Sequence, residues 1–97
     1  MGNNLQNIGL IHKDNKRYEN ALEFINRALI IYREIGDEVA CSIAYENIGA
    51  VYSGQGKLDE ALQMHFQALK IAEEKGDEFG QSGSNINIGQ IYIDKKK

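Results

Sequence analysis

The most constraining feature of the sequence is an internal repeat with a period of 40 residues. The tripeptide Asn-Ile-Gly occurs at residues 7–9, 47–49 and 87–89, and Gly-Asp-Glu occurs at residues 36–38 and 76–78. When the first 40 residues are aligned with the next 40, 12 positions are identical, more than chance readily places in one register. A fixed period of this length is typical of folds built from stacked copies of one small unit. We therefore expect two copies of the unit and the first part of a third.

Each unit is predicted to contain two helices. In the second unit, apolar residues recur at helical spacing from Val39 to Tyr52, and Asp37 is placed to cap the start. Glycines then interrupt the pattern, and a second apolar stripe begins at Leu58 and closes before Gly76. Short connections force neighbouring helices to run antiparallel. The sequence thus predicts an all-α solenoid of helical hairpins with about five helices.

The repeat also predicts the domain organisation. With 97 residues the chain is below the usual size of about 150 residues per domain, so we expect a single domain over residues 1–97. Repeat 1 should cover about residues 1–36, repeat 2 about residues 37–76, and the first helix of repeat 3 about residues 77–94. Because the third unit lacks its second helix, we expect the chain to be an excerpt of a longer array.

The residues within each unit resemble the tetratricopeptide repeat, whose signature is W-x₂-L-G-x₂-Y, then A-x₃-F, then P. In unit two these positions hold Tyr45-x₂-Ile48-Gly49-x₂-Tyr52, followed by Ala61-x₃-His65 and Ala68. The same offsets hold Leu5, Ile8, Gly9 and His12 in unit one and Asn85, Ile88, Gly89 and Tyr92 in unit three. The chain departs from the signature in lacking Trp and Pro, and in its longer period. A period of 40 also falls in the HEAT and armadillo range, but the glycine and alanine offsets favour the tetratricopeptide repeat.

The long-period version is similar to repeats in spindle-orientation adaptors, kinesin light chains, bacterial phosphatase regulators and repeat-bearing sensor kinases. The resemblance implies a concave groove that binds a peptide or a partner helix, lined by the first helix of each pair. The groove positions that it implies here are Asn3, Gln6, Leu10 and Lys13 in unit one, Ile43, Glu46, Ala50 and Ser53 in unit two, and Ile86, Gln90 and Ile93 in unit three. Gln6 and Leu10 stand where a chaperone-binding carboxylate clamp would have Lys and Asn, so a chaperone C-terminus is not the expected ligand.

Asparagine recurs at one position in all three units, as Asn7, Asn47 and Asn87. Asparagine is a poor residue for a helix interior, so helix propensity does not explain the recurrence. An amide offers both a donor and an acceptor to the backbone of an extended peptide, and the resemblance implies ligand contact at this position. We hypothesise that the three form a ladder along the groove. The alternative is that each amide bonds its own helix or the neighbouring turn.

Composition argues against several kinds of partner. The net charge is −3, whereas a general nucleic-acid binder needs a basic surface. No apolar run approaches the ~18 residues of a membrane span, so we expect no membrane insertion. Met1 is followed by polar residues rather than a signal peptide, and the single Cys41 cannot form an intrachain disulfide. We therefore expect a cytoplasmic location.

No constellation of residues predicts catalysis. His12 and His65 lie in different predicted helices, and Cys41 has no Cys or His at metal-ligand spacing, so no metal or other cofactor is expected. The serines have no His and Asp at nucleophile-elbow spacing, and no phosphate-binding glycine loop occurs. His65 is interpreted as a packing residue at the aromatic position of the signature. We expect the chain not to be an enzyme.

Two functional interpretations follow. The leading one is a non-catalytic protein–protein interaction module, a scaffold whose protein or peptide ligand the sequence does not identify. The alternative is a regulatory segment of a larger signalling protein, such as a sensor kinase or a transcriptional regulator. Apolar residues of the third-repeat helix, among them Ile86 and Ile93, cannot all be covered by the preceding helix, so we also expect a homodimer through this helix.

Overall fold

The computed structural model describes residues 17–97, which form four α-helices and no strand. The helices are α1 (Tyr18–Ile35), α2 (Glu38–Gly54), α3 (Leu58–Lys75) and α4 (Glu78–Lys95). The predicted all-α fold is confirmed. The four helices correspond to the last four of the five predicted ones, and the first predicted helix lies on residues 1–16, outside the described residues.

The turn between α1 and α2 shows why the helices end where they do. Gly36 has a φ of 74°, in the left-handed region that favours glycine, and the next amide, of Asp37, donates to the Tyr32 carbonyl at 2.9 Å. The Asp37 carboxylate then accepts from the Ala40 amide at 3.1 Å, which confirms the predicted cap. The same turn recurs 40 residues later, with a φ of 66° at Gly76. Turns this short make consecutive helices antiparallel.

Within residues 17–97 the core consists of two clusters joined by one tyrosine. The larger cluster lies between α1 and α2, and the smaller one lies between α3 and α4. Tyr52 is partly buried and packs against both. The fully buried alanines let the helix backbones approach closely, and larger side chains such as Ile25 and Val51 fill the remaining space. The alanines with no exposed surface are Ala21, Ala28, Ala44, Ala61 and Ala68.

Helices α2 and α3 approach each other closely at Gly49. A Cβ added there would lie 2.7 Å from Nε2 and 2.8 Å from Cε1 of His65, so the imidazole ring occupies the space of the missing side chain. His65 is buried, as its interpretation as a packing residue predicts. Gly49, the glycine of the signature, and His65, at its aromatic position, thus pack directly against each other.

The equivalent glycine of α4 has no such partner. A Cβ added at Gly89 would meet nothing within 4 Å among the described residues. On the same helix Ile88 and Ile91 are buried against α3, whereas Ile86 and Ile93 are exposed. One face of α4 therefore carries apolar side chains that α3 does not cover.

The two glycines allow a paired test of the packing. Gly49→Ala should lower the free energy of unfolding by about 1–2 kcal/mol, because the clash with His65 outweighs the gain in helix propensity. Gly89→Ala should raise it by up to about 1 kcal/mol, because only the propensity gain applies. Urea unfolding followed by circular dichroism at the helix band measures both. Equal changes of the same sign in the two variants would contradict this packing.

Candidate peptide-binding groove

A groove lies between α2 and α4, with α3 as its floor. It consists of two adjoining cavities of about 340 Å³ and 350 Å³. Glu46 and Asn87 line both cavities, so the two are ends of one groove. The apolar end is lined chiefly by Val39, Ile43, Ile71, Ala72 and Phe79. The polar end is lined chiefly by Asn47, Ser53, His65, Gln90 and Asp94.

The Glu46 carboxylate forms the boundary between the two ends and joins three helices. Its Oε2 lies 2.5 Å from Nδ1 of His65 on α3 and accepts from Nδ2 of Asn87 on α4 at 2.8 Å. Its Oε1 accepts from the hydroxyl of Ser84, which is buried on α4. Buried polar groups are stable only when they find such partners. The carboxylate therefore holds α2, α3 and α4 in one arrangement.

Burial and hydrogen bonding act in opposite directions on Glu46. Removal from water disfavours the charged form and tends to raise its pKa, but the hydrogen bonds from His65, Ser84 and Asn87 outweigh this and hold the pKa below its ordinary value. Glu46 is therefore charged at neutral pH. A carboxylate accepts only, so Nδ1 of His65 donates to Glu46, while Nε2 faces Gly49.

Most of the predicted groove residues that fall on described residues do line this groove. The lining includes Ile43, Glu46, Asn47, Ala50, Ser53, Asn87 and Gln90. Ile86 and Ile93 line neither cavity and are exposed elsewhere on α4. The predicted positions Asn3, Gln6, Asn7, Leu10 and Lys13 lie outside the described residues. Whether any of these side chains binds a ligand stays a prediction.

Sequence reasoning missed part of the apolar end. Val39 and Phe79 both line it, and Phe79 is 91% exposed. The two are 40 residues apart and so occupy the same position of the repeat. Each directly follows a Gly-Asp-Glu tripeptide, at residues 36–38 and 76–78. This recurrence of an apolar side chain at the start of the first helix was a usable signal. The pairing of Glu46 with His65 had no such signal, because the two are 19 residues apart on different helices.

The two described asparagines of the recurring position differ in their contacts. Asn87 donates to Glu46 of the neighbouring α2, rather than to its own helix or an adjacent turn. Asn47 is partly buried at the polar end and makes no side-chain hydrogen bond within residues 17–97. Among the residues that the structure describes, the Asn47 amide is thus the one of the two that has no side-chain partner.

Two kinds of feature are absent from the described part of the chain. Residues 17–97 contain no group of three or more His, Cys, Asp or Glu side chains that could hold a metal ion. None of the four helices combines the length and apolar character needed to cross a membrane.

The lowered pKa of Glu46 predicts a pH-dependent stability. A carboxyl whose pKa is lowered on folding stabilises the fold above its unfolded pKa of about 4.3, and this contribution is lost as the pH falls through the folded value. Glu46→Gln should reduce the free energy of unfolding by about 1–3 kcal/mol at neutral pH. The difference from wild type should shrink below about pH 4. Denaturant titrations at several pH values measure this, with the exposed Glu23→Gln as control. A difference that does not change with pH would contradict the assignment.

Comparisons with known proteins agree with this architecture. A family model described as tetratricopeptide repeat matches residues 3–74. The crystal structure of BtubC (BKLC) from P. vanneervenii superposes with a TM-score of 0.87 at 24% sequence identity, over 95% of this chain. The chain spans 39% of the length of BtubC, and at this identity the likeness concerns the fold. No curated protein sequence gives a significant match. Since the family model covers well over half of the sequence and the helices pair as its signature requires, the chain belongs to the tetratricopeptide repeat family.

Proposed function

We propose that the chain is a non-catalytic protein-interaction module that binds a peptide or a partner segment in the groove between α2 and α4. The main supporting observation is the apolar end of the groove, where Ile43 and Phe79 are exposed on either side of a cavity of about 340 Å³. Exposed apolar side chains gathered in a concavity mark interaction sites. Membership of a family of protein-interaction repeats supports the same conclusion.

The ligand would contact α2 through Ile43, Asn47, Ala50 and Ser53, and α4 through Gln90. Glu46 and Asn87 would lie beneath it, since they bond each other. The proposal extends the groove to Asn3, Gln6, Asn7, Leu10 and Lys13 of the first unit. Ile86 and Ile93 lie outside both cavities, so we assign them to the exposed face of α4 instead.

The order of groups around Glu46 favours a structural role over a catalytic one. In a Ser-His-Asp triad the imidazole lies between the hydroxyl and the carboxylate, so that it takes the hydroxyl proton. Here the carboxylate lies between Ser84 and His65, and Ser84 donates to Glu46. The imidazole is thus not placed to activate the hydroxyl.

A cytoplasmic location is part of the proposal, because the single cysteine, Cys41, is a buried free thiol in this fold.

Asn47→Ala tests the use of the groove. Short random peptides displayed on phage are selected on the wild-type protein, and the affinities of selected peptides are measured for each variant. Asn47→Ala should reduce affinity by about 1–3 kcal/mol with little change in melting temperature, because the amide lines the groove and makes no side-chain hydrogen bond within residues 17–97. The exposed Asn26→Ala on α1 is the matched control. If stability falls and affinity does not, the amide is structural and the ladder hypothesis is wrong.

The exposed face of α4 is proposed to pair with a second copy of the chain. Sedimentation velocity over a range of concentrations should show a dimer that strengthens with concentration. Ile86→Ser should weaken the dimer, because Ile86 is 70% exposed on this face. Ile35→Ser is the matched control, since Ile35 is 69% exposed on α1. A monomer at all concentrations, or equal effects of the two variants, would contradict the proposal.

A further inference from the structure

The two ends of the groove differ in charge as well as in polarity. Among the described residues, the groove is lined by three carboxylates, Glu46, Asp77 and Asp94, against one ammonium group, Lys75. Lys75 is already paired with Glu38 at 2.9 Å. The groove is therefore electronegative, and a ligand that complements it carries positive charge.

The carboxylates are not equally available to such a ligand. Glu46 accepts from three side chains, and Asp77 caps α4 by accepting from the Gly80 amide at 3.0 Å. At the polar end, Asp94 accepts from Gln90 at 3.1 Å and lies 3.6 Å from the Lys97 ammonium. Both of these contacts are made by Oδ1. Oδ2 of Asp77, at the apolar end, and Oδ2 of Asp94 make no hydrogen bond within the described residues. At the polar end, Oδ2 of Asp94 is therefore the carboxylate oxygen open to an incoming cation.

The middle of the groove limits what shape of ligand fits. The bonds from Ser84 and Asn87 to Glu46 cross between α2 and α4, where the apolar end meets the polar end. A helix is about 10 Å wide, whereas an extended chain occupies only about 5 Å in the direction in which strands pair. The extended chain is the better fit over these bonds, with one side chain in each end. Because Nδ2 of Asn87 faces Glu46, its carbonyl oxygen is turned away and can accept a backbone N–H from the chain above.

Resting on the proposed function, we propose that the ligand is an extended peptide with one apolar and one basic side chain about four residues apart. The apolar side chain occupies the apolar end beside Ile43 and Phe79, and the Arg or Lys side chain reaches Asp94. From Ile43 to Ser53 the helix rises ~15 Å, which an extended chain spans in four to five residues. Side chains on the same face of an extended chain are an even number of residues apart, which selects the spacing of about four.

Synthetic peptides test this chemistry directly. The probes are Gly/Ser peptides with one Leu and one Arg at this spacing, in either order, and their binding is measured by fluorescence anisotropy. Replacement of Arg by Glu or of Leu by Ser should weaken binding about tenfold or more, because a charge-assisted contact or a buried apolar side chain is lost. Peptides with the spacing one residue shorter or longer should bind several-fold more weakly. Added salt should reduce the preference for Arg over Glu.

Variants of the protein test which end of the groove recognises the basic side chain and which end recognises the apolar one. Asp94→Asn should remove most of the preference for Arg over Glu while retaining the preference for Leu over Ser. Ile43→Ser should have the opposite effect. The controls are Glu23→Gln for charge and Ile30→Ser for apolar surface, since Ile30 is 53% exposed on α1 and Ile43 is 50% exposed. Ile43 is exposed and Asp94 is partly exposed, so the variants are expected to fold, and circular dichroism checks this.

The outcomes separate this inference from the proposed function. If Glu peptides bind as well as Arg peptides, or if all spacings bind equally, the inference about the ligand is wrong. The proposed function is still supported in that case if Ile43→Ser weakens peptide binding. The inference is also wrong if the synthetic peptides do not bind while phage-selected peptides bind in the groove without this pattern. If no peptide of either kind depends on Ile43 or Asn47, the proposed function itself is overturned.

Discussion

The packing of the His65 ring against Gly49 is the contact on which the rest of the structure depends. The ring lies so close that no Cβ fits at position 49, and this proximity sets the separation of α2 and α3. With the ring in place, Nδ1 is directed at Glu46. A larger residue at Gly49 would displace the imidazole, and with it the donor that holds the carboxylate. The packing of α2 against α3 and the hydrogen bonding of Glu46 in the groove thus depend on the position of the same imidazole ring.

The Glu46 carboxylate extends this order to α4. A partly buried charge is unfavourable unless its oxygens are satisfied, and the donors come from α3 and α4, so the charge is stable only when the three helices are assembled. Hydrogen bonds to a charged group are stronger than neutral ones, and each also constrains the rotation of a helix about its axis. Helices held only by apolar contacts would retain more freedom to slide. The groove therefore gains a defined shape from a group that would be costly in an unassembled chain.

The sequence predicted the helices and their turns well because these depend on local chemistry. Left-handed glycines and Asp caps recur in register, and each needs only its neighbours in the chain to form. The groove was predicted less well because it depends on which way each helix faces. The Glu46 side chain extends from α2, the first helix of the second unit, to α4, the first helix of the third unit. Ile86 and Ile93 are the residues of α4 at the positions of Glu46 and Ser53, so they point forward beyond α4, away from the groove. The position of a residue within the repeat does not by itself show whether its side chain faces the previous unit or the next one.

The same geometry assigns different tasks to charges that look equivalent in the sequence. Glu46 lies at the centre of the groove, but its oxygens are occupied by donors from its own fold. It therefore contributes long-range attraction for a cation without offering a directional contact. Asp94 lies at the polar end, and its Oδ2 makes no hydrogen bond within the described residues. Asn87 is held so that its carbonyl is turned away from Glu46. Directional recognition therefore falls to the polar groups that Glu46 and its neighbours position, while the central carboxylate keeps the groove intact and negative.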